Sequence, residues 1–274
     1  MLTREEIKDY FQLENSHAKK ELGQNFLVNQ KAIDEIINLV DVKSDDVLLE
    51  IGPGLGALTN DLIGKTKNYT VVEYDAKFVD YLNRAYGDKE INIVKNNILK
   101  YKDYSANKII GNLPYYITSD ILLYIAVHFE NLNKAVCMMQ KEAFERIIAK
   151  KGTKEYNVLN IILEYTFKMT KNMNVAKTSF FPMPQVDSVV VTLEKRSGLE
   201  HKFIKPLLTC TRAMFLNRRK TIYNNLNSLV KNKDKTSSIL NDLKLSPTMR
   251  AEELDLNDFI NLTNELLKLE VIKL

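Results

Sequence analysis

The sequence predicts a doubly wound α/β domain followed by a smaller, all-helical C-terminal domain. Three observations support this fold class. Short β-branched runs alternate with helical patterns between residues 47 and 193. The connections between these runs are short, which favours a parallel sheet with helices on both faces. After Ser197-Gly198 the pattern is helical only. We therefore place a boundary between a domain of residues 1–197 and a domain of residues 198–274.

The individual elements follow from hydrophobic periodicity. The predicted strands are Val47–Ile51, Thr70–Val72, Ile91–Val94, Lys108–Ile110, Ala135–Met139 and Val189–Leu193. The predicted helices are Gln30–Val40, Leu55–Ile63, Ala76–Tyr86, Thr118–His128, Lys141–Lys150, Phe203–Leu216 and Leu256–Leu269. The apolar run Asn157–Phe167 fits either a helix or a strand, and periodicity alone does not decide between them.

The composition is that of an ordinary soluble globular protein. The chain has 274 residues, of which 45% are hydrophobic and 27% are charged. No apolar run approaches the roughly 18 residues that a membrane span needs, and the N-terminus lacks the apolar stretch of a secretory signal. Cys137 and Cys210 lie far apart and lack the spacing of a zinc site. We expect buried free thiols, no bound metal and a cytoplasmic protein in a reducing compartment.

Positive charge is concentrated in one segment. Residues 196–235 contain ten Lys or Arg against Glu200 and Asp234, a net charge of +8, although the whole chain carries only +4. A basic block on a near-neutral body suggests a polyanionic partner such as nucleic acid. A solvated helix face explains the block equally well until another feature indicates nucleic acid.

A glycine-rich turn follows the first predicted strand. Gly52, Gly54 and Gly56 come directly after Val47–Ile51 and lead into a helical pattern. Glycines permit positive φ and let backbone N–H groups approach a ligand. Glu73 ends the next strand, where an acid can accept hydrogen bonds from the ribose hydroxyls of an adenosine-containing cofactor.

Two cofactor classes compete for this turn. Gly52 to Ala57 satisfies the G-x-G-x-x-A pattern of dinucleotide-binding folds. Glu50, placed two residues before the first glycine, also gives the E-x-G-x-G-x-G arrangement of methyltransferases. In that case the turn faces the amino-acid tail of S-adenosylmethionine.

The tetrad Asn112-Leu113-Pro114-Tyr115 favours the methyltransferase reading. It follows the fourth predicted strand, and ligands of open α/β sheets bind outside the carboxyl ends of strands. The exocyclic amine of adenine is a poor nucleophile, because its lone pair is delocalised into the ring. The Asn112 side-chain carbonyl and a main-chain carbonyl of Leu113 or Pro114 can accept its two hydrogens and aim the lone pair at a methyl donor. Tyr115 can stack on the base.

With these residues the sequence resembles the RNA adenine dimethyltransferases, and among them the small-subunit ribosomal RNA enzymes of the KsgA family. The resemblance covers nearly the whole chain and rests on six ordered motifs. These are Lys20–Leu27, Glu50–Gly56, Glu73, Asn112–Tyr115, Phe180–Ser188 and Arg218–Thr221.

The resemblance implies a Rossmann-like methyltransferase domain with an N-terminal arm in residues 1–197, and an RNA-binding helical domain in residues 198–274. It implies transfer of methyl groups from S-adenosylmethionine to two adjacent adenines near the 3′ end of 16S rRNA, within an assembling small subunit. It further implies a monomeric enzyme with a role in ribosome biogenesis. The implied cofactor-binding residues are Asn25, Leu27, Gly52, Gly54, Glu73, Asn97 and Asn112. The implied catalytic residues are Asn112, Leu113, Pro114, Tyr115 and Phe181, with Phe181 stacking on the target adenine opposite Tyr115.

One position departs from the family pattern. The family usually has an acid after the third strand that accepts from the adenine amine of the cofactor, whereas this chain has Asn96-Asn97. Asn97 keeps a carbonyl acceptor but loses the charge-assisted part of that bond. We expect weaker cofactor binding as a result.

Three other functions compete with this interpretation. An antibiotic-resistance methyltransferase of large-subunit rRNA has the same fold, but Leu113, the Pro182–Ser188 run and Arg218–Thr221 favour the small-subunit type. A mainly non-catalytic assembly factor remains compatible with the sequence. An NAD-dependent oxidoreductase is compatible with the glycine turn, but we identify no residue set that would support hydride transfer.

Overall fold

The computed structural model describes residues 2–19 and 23–273 and divides the chain into two compact units. The first unit is Met1–Phe144 with Lys168–Lys195, and the second is Glu145–Phe167 with Arg196–Leu274. The last change of unit along the chain, between Lys195 and Arg196, lies two residues before the boundary that the sequence predicts at 197/198. The excursion of residues 145–167 into the second unit gives no composition signal in the sequence.

The strands are β1 Phe26–Leu27, β2 Val47–Ile51, β3 Asn68–Glu73, β4 Asn92–Lys95, β5 Lys108–Asn112, β6 Lys134–Gln140, β7 Phe167–Val175, β8 Phe180–Phe181 and β9 Ser188–Lys195. The helices are α1 Arg4–Leu13, α2 Gln30–Val40, α3 Thr59–Leu62, α4 Ala76–Tyr86, α5 Thr118–His128, α6 Lys141–Ile147, α7 Val158–Thr166, α8 Ile204–Phe215, α9 Ile222–Val230, α10 Lys233–Asp242 and α11 Leu256–Lys268.

A seven-stranded sheet forms the first unit, in the order β4-β3-β2-β5-β6-β9-β7. The five strands β2 to β6 are parallel, as the alternating pattern predicts. β9 pairs antiparallel with β6, so the doubly wound sheet is mixed at this strand, where the alternating pattern predicted a parallel one. A parallel neighbour requires a long crossover connection, usually a helix. The chain between β7 and β9 contains the short 3₁₀ turn Lys177–Ser179 and the two-residue strand β8, but no α-helix.

The central strand β2 explains why the sheet forms here. Its apolar side chains Leu48, Leu49 and Ile51 are at most 2% exposed, which fits a strand covered on both faces. α2 supplies part of the covering layer, with Ile33 and Ile36 buried in the same apolar cluster. The central part of the sheet is therefore packed against apolar side chains on both faces.

Two predicted helices, Leu55–Ile63 and Lys141–Lys150, are shorter in the structure, and the second of them ends at Ile147. The helix expected over Leu55–Ile63 is reduced to α3, because Gly56 has a φ of +78° and its N–H donates to Pro53 O in a tight turn. The ambiguous run Asn157–Phe167 is the helix α7, which Asn157 caps, and β7 begins at Phe167.

The second unit contains only helices among its described residues. α8 packs against α7, α9 and α11, and α9 packs against α10. Phe259, Leu262 and Leu266 of α11 are fully buried. Cys210 and, in the first unit, Cys137 are buried free thiols, as expected, and burial raises the pKa of each to about 12.

Candidate active site

A cavity of about 420 Å³ lies at the carboxyl ends of the parallel strands in the first unit. Nine of the residues predicted to bind cofactor or act in catalysis line it, namely Asn25, Leu27, Gly52, Gly54, Glu73, Asn97, Asn112, Leu113 and Pro114. Carboxyl ends of neighbouring parallel strands share one edge of a sheet, so separate sequence motifs meet there.

The glycine turn is shaped for close backbone approach. Gly52 has a φ of +66° and Gly54 a φ of +56°, a region that L side chains rarely adopt. A Cβ at Gly54 would also come within 3.3 Å of the Phe26 ring. Side chains at these two positions would therefore strain the turn and fill the cavity edge.

Glu73 is held firmly at the end of β3. Its side chain accepts from the Gly54 N–H at 3.0 Å and from the Asp75 N–H at 2.8 Å. The residue is 7% exposed, and burial raises the pKa of its carboxyl although these backbone hydrogen bonds oppose the rise. Each carboxylate oxygen keeps further acceptor capacity for a ligand hydroxyl.

Asn112 carries an unsatisfied acceptor. Its Nδ2 donates to the main-chain carbonyl of Asn25 at 3.2 Å. Its Oδ1 is buried, and it has no hydrogen-bond partner among the residues that the structure describes. Buried acceptors are normally satisfied, so an orphaned one beside a cavity indicates a ligand donor.

The two main-chain carbonyls of the tetrad differ. Pro114 O accepts from Thr118 Oγ1 at 2.9 Å and from the Ile117 N–H at 3.3 Å. Leu113 is fully buried and donates its N–H to Met138 O at 2.9 Å. Of the two carbonyls that the sequence left open, that of Leu113 is the better candidate for a substrate amine.

Tyr115 and Phe181 do not line the cavity. The Tyr115 hydroxyl lies 3.1 Å from Ser188 Oγ, and burial raises the pKa of this tyrosine. Phe181 pairs with Phe26 in the two-stranded sheet of β1 and β8, and Lys8 Nζ lies 5.7 Å from its ring centroid. The neighbouring Phe180 is fully buried, so Phe181 is the phenylalanine of this pair with exposed surface.

The Asn97 side chain has a local partner. Its Oδ1 accepts from the Leu99 N–H at 2.9 Å and caps the short 3₁₀ helix Ile98–Lys100. The side-chain carbonyl of Asn97, which we predicted to bind the cofactor, therefore already accepts one hydrogen bond and keeps one free lone pair. Lys20, Glu21 and Leu22 of the N-terminal motif lie outside the described residues.

Several residues around the cavity carried no role in the sequence interpretation. Gln24, Asp75, Phe78 and Tyr116 line it. Asp75 forms an ion pair with Lys19, with Lys19 Nζ 2.7 Å from Asp75 Oδ2. The position of Asp75 two residues after Glu73 was a usable signal, whereas nothing in the sequence pairs it with Lys19.

Glu50 is buried beneath the glycine turn and also borders the cavity. Its Oε2 accepts from Thr59 Oγ1 at 2.8 Å and from the Tyr69 hydroxyl. Burial raises the pKa of Glu50 to about 7, against the effect of these two hydrogen bonds. Glu50 thus ties the turn to α3 and β3 from inside the core.

Two kinds of feature are absent from residues 2–19 and 23–273. None of the helices there is both long and apolar enough to cross a membrane. No group of three or more His, Cys, Asp or Glu in the same ranges is arranged to hold a metal ion.

Known proteins resemble the chain over almost its whole length. The family model for ribosomal RNA adenine dimethylase matches residues 15–268. The ribosomal RNA small subunit methyltransferase A of Malacoplasma penetrans is 37% identical over 261 residues, covering 93% of this chain and 94% of that protein. The protein of the same name from Francisella tularensis subsp. novicida is 37% identical over 259 residues, covering 90% and 97%.

Solved structures agree. A dimethyladenosine transferase from Plasmodium falciparum superposes with a TM-score of 0.75 at 29% identity, covering 89% of this chain and 98% of that one. The 23S rRNA methyltransferase ErmE has a TM-score of 0.61 at 22% identity, with coverage of 88% and 99%, and supports the fold alone. The chain belongs to the ribosomal RNA adenine dimethylase family, whose members take their methyl groups from S-adenosylmethionine.

Proposed function

We propose that this enzyme dimethylates the exocyclic amines of two adjacent adenines near the 3′ end of small-subunit rRNA, within an assembling ribosomal particle. The buried, unpartnered Oδ1 of Asn112 carries the chemical part of the proposal. The substrate part of the proposal is supported by the relatives named as small-subunit methyltransferases, which are about 37% identical over most of the chain. Such a substrate implies action in the cytoplasm, where ribosomes assemble.

The cavity suits S-adenosylmethionine in its volume and in the polar groups that line it. Glu73 would accept from the ribose hydroxyls, and the turn at Gly52 and Gly54 would leave room for the amino-acid part, beside Asn25 and Leu27. Asn97 would receive the adenine amine with its remaining lone pair. When bound, the cofactor supplies an electrophilic methyl group, and the protein supplies position and electrostatics.

The target amine would be held by two acceptors. Asn112 Oδ1 and the Leu113 carbonyl accept its two hydrogens, which favours a tetrahedral nitrogen with its lone pair directed at the methyl donor. The nitrogen becomes positive as the bond forms, and both carbonyl dipoles stabilise that charge. The proton leaves after transfer, so the site needs no strong base.

The same acceptors would serve the second methylation. The monomethylated amine keeps one hydrogen, and one acceptor is enough to hold it while the other side admits a methyl group. Tyr115 and Phe181 would stack on the two faces of the extruded base, and this requires both rings to face the cavity mouth. The helical residues 198–274 would bind RNA, and a monomer suffices because the whole set of site residues lies in one chain.

The alternatives are less well supported. The large-subunit type is represented by ErmE, at 22% identity, well below the small-subunit relatives. A purely non-catalytic assembly factor would have no use for a buried unpartnered amide oxygen beside a cofactor-sized cavity. Both roles can nevertheless coexist in one protein.

The test is transfer of labelled methyl groups to small-subunit particles from cells that lack this modification, followed by nucleoside analysis. We expect label in dimethyladenosine. Asn112→Ala should lower turnover by about 10²–10³-fold, as for removal of one preorganised contact to a developing charge, while cofactor and RNA binding persist. Label on guanine, cytosine or ribose, or near-normal turnover of Asn112→Ala, would refute the proposal.

A further inference from the structure

We propose that Asp75 is a positioning residue that fixes the orientation of the Asn112 amide through Gln24 and Asn25. The inference rests on the proposed function for the catalytic importance of Asn112. Its structural part concerns only which end of that amide faces the cavity.

The orientation of Asn112 depends on one hydrogen bond. A side-chain amide can flip and exchange its oxygen with its nitrogen, and only its contacts decide between the two states. Asn25 O is an acceptor and lies 3.2 Å from Asn112 Nδ2, so the oxygen must occupy the other position, where it is buried and unpartnered among described residues. A flipped amide would present donors to an amine that also needs acceptors.

Gln24, the residue before Asn25, is held by both polar atoms of its side-chain amide. Gln24 Oε1 accepts from the Lys19 N–H at 2.8 Å, and Gln24 Nε2 donates to Asp75 Oδ2 at 3.0 Å. One peptide separates this anchored residue from the carbonyl that orients Asn112. A shift of Gln24 therefore moves the carbonyl of Asn25.

Asp75 is the fixed end of this chain of contacts. Its Oδ1 accepts from the Lys77 N–H at 3.1 Å and caps α4, and its Oδ2 also accepts from Lys19 Nζ at 2.7 Å. The side chain is 7% exposed, so the pair with Lys19 is shielded from solvent on one side. Burial opposes ionisation of Asp75, but these donors and Gln24 together lower its pKa below the ordinary value.

The informative variant is Asp75→Asn. The new amide can still cap α4 with its oxygen, but its NH₂ group then faces two donors, Lys19 Nζ and Gln24 Nε2. We expect Gln24 to leave this position and the Asn112 amide to lose its fixed orientation. The ¹⁵N–¹H signal of the Asn112 side chain, assigned by its loss in Asn112→Ala, should shift or broaden without any substrate present.

Kinetics give a second, independent readout. We expect Asp75→Asn to lower kcat by about 10- to 100-fold, as for misplacement of a catalytic group, with cofactor Kd changed by less than ~3-fold. In an Asn112→Ala background the same substitution should change kcat by less than ~2-fold, because groups that act through one another are not additive. Additive losses, or a loss confined to cofactor Kd, would overturn the proposal.

An exchange of the two side chains separates positioning from simple misfolding. In Asp75→Asn combined with Gln24→Glu, the new carboxylate at position 24 can accept from the new amide at position 75 and from the Lys19 N–H. We expect this double variant to recover the Asn112 signal and most of kcat. Failure to recover either one, in a protein with native thermal stability, would overturn the proposal.

The matched control is Asp46→Asn. Asp46 directly precedes β2, at the end of the strand away from the glycine turn. Asp46 also pairs with a lysine, with Lys108 Nζ 3.0 Å from its Oδ2, and accepts from the Lys43 N–H at 2.7 Å. We expect it to leave the Asn112 signal unchanged. An unchanged Asn112 signal in Asp75→Asn would overturn the proposal even if methyl transfer to rRNA is demonstrated, and absence of methyl transfer by the native protein would refute only the function.

Discussion

The Gly54 N–H donates to Glu73 Oε2 at 3.0 Å and so joins the glycine turn after β2 to the acid that ends β3. The two residues are 19 positions apart. The bond holds one carboxylate oxygen at the edge of the cavity and leaves it further acceptor capacity. The glycine turn and Glu73 are therefore structurally coupled, and a change in either one affects the other.

The first prediction concerns this acid. Glu73→Ala should weaken S-adenosylmethionine binding by about 10- to 100-fold, because about 1.5–3 kcal/mol of hydrogen bonds to a charged acceptor is lost. Isothermal calorimetry measures the change. Glu73→Gln, which can still accept from Gly54, should show a smaller loss. Unchanged affinity in Glu73→Ala would remove this residue from the cofactor site.

The second prediction concerns Asn97, the position at which the family usually has an acid. Asn97→Asp should tighten cofactor binding by about fivefold, since a hydrogen bond to a charged acceptor is worth about 1 kcal/mol more than a neutral one. Aspartate is also a good helix cap, so the bond to the Leu99 N–H should survive. Asn96→Asp is the matched control. Tighter binding of the control alone would place the family position at residue 96.

The third prediction concerns the aromatic ring beside the tetrad. Tyr115→Ala should weaken capture of the target base, because stacking contributes about 1–3 kcal/mol per base. Tyr115→Phe loses only the contact to Ser188 Oγ and should have a mild effect. Steady-state kinetics on the small-subunit particle distinguish the two variants. An equal loss in both would assign the effect to the hydroxyl and would argue against stacking.

The fourth prediction concerns the basic motif of the second unit. Arg218, Arg219 and Lys220 lie in the turn between α8 and α9. Arg218 packs on Phe215, with its guanidinium carbon 5.7 Å from the ring centroid, whereas Arg219 and Lys220 are exposed. Neutralising Arg219 and Lys220 should lower RNA affinity and flatten the slope of log affinity against log salt, with cofactor affinity unchanged. An unaltered slope would identify the turn as a solvated surface.

The fifth prediction follows from the buried Glu50, whose pKa is raised by burial to about 7. The unfolded chain releases this proton near pH 4.5, while the folded protein keeps it until about pH 7. The stabilisation is therefore complete below the unfolded pKa and is lost as the pH rises through the folded pKa. The loss from this group is at most about 3 kcal/mol.

Glu50→Gln tests this linkage. The variant does not ionise and can still accept from Tyr69 and Thr59, so it should gain stability relative to the native protein between pH 5 and pH 8. Unfolding midpoints at both values measure the difference, with the exposed Glu90→Gln as control. A native-to-variant difference that is equal at both pH values would contradict the assigned ionisation.

The sequence was sufficient for those features that depend on local pattern and chain order. The buried β2, the glycines after it, Glu73 at the end of β3 and the Asn112 tetrad at the end of β5 all lie where periodicity placed them. Their meeting at one cavity follows from parallel strands sharing a carboxyl edge. The resemblance to the family supplied the predicted substrate and the predicted roles of these residues.

Only the tertiary structure decided the contacts between residues far apart in the chain. The antiparallel placement of β9 depends on its pairing partner, and the membership of 145–167 in the second unit depends on what that segment packs against. The hydrogen bonds that Asn112 donates to Asn25 and that Gln24 donates to Asp75 depend on side-chain geometry beside the cavity. Local propensity contains no information on such pairs, because their energy arises only when separate strands bring them together.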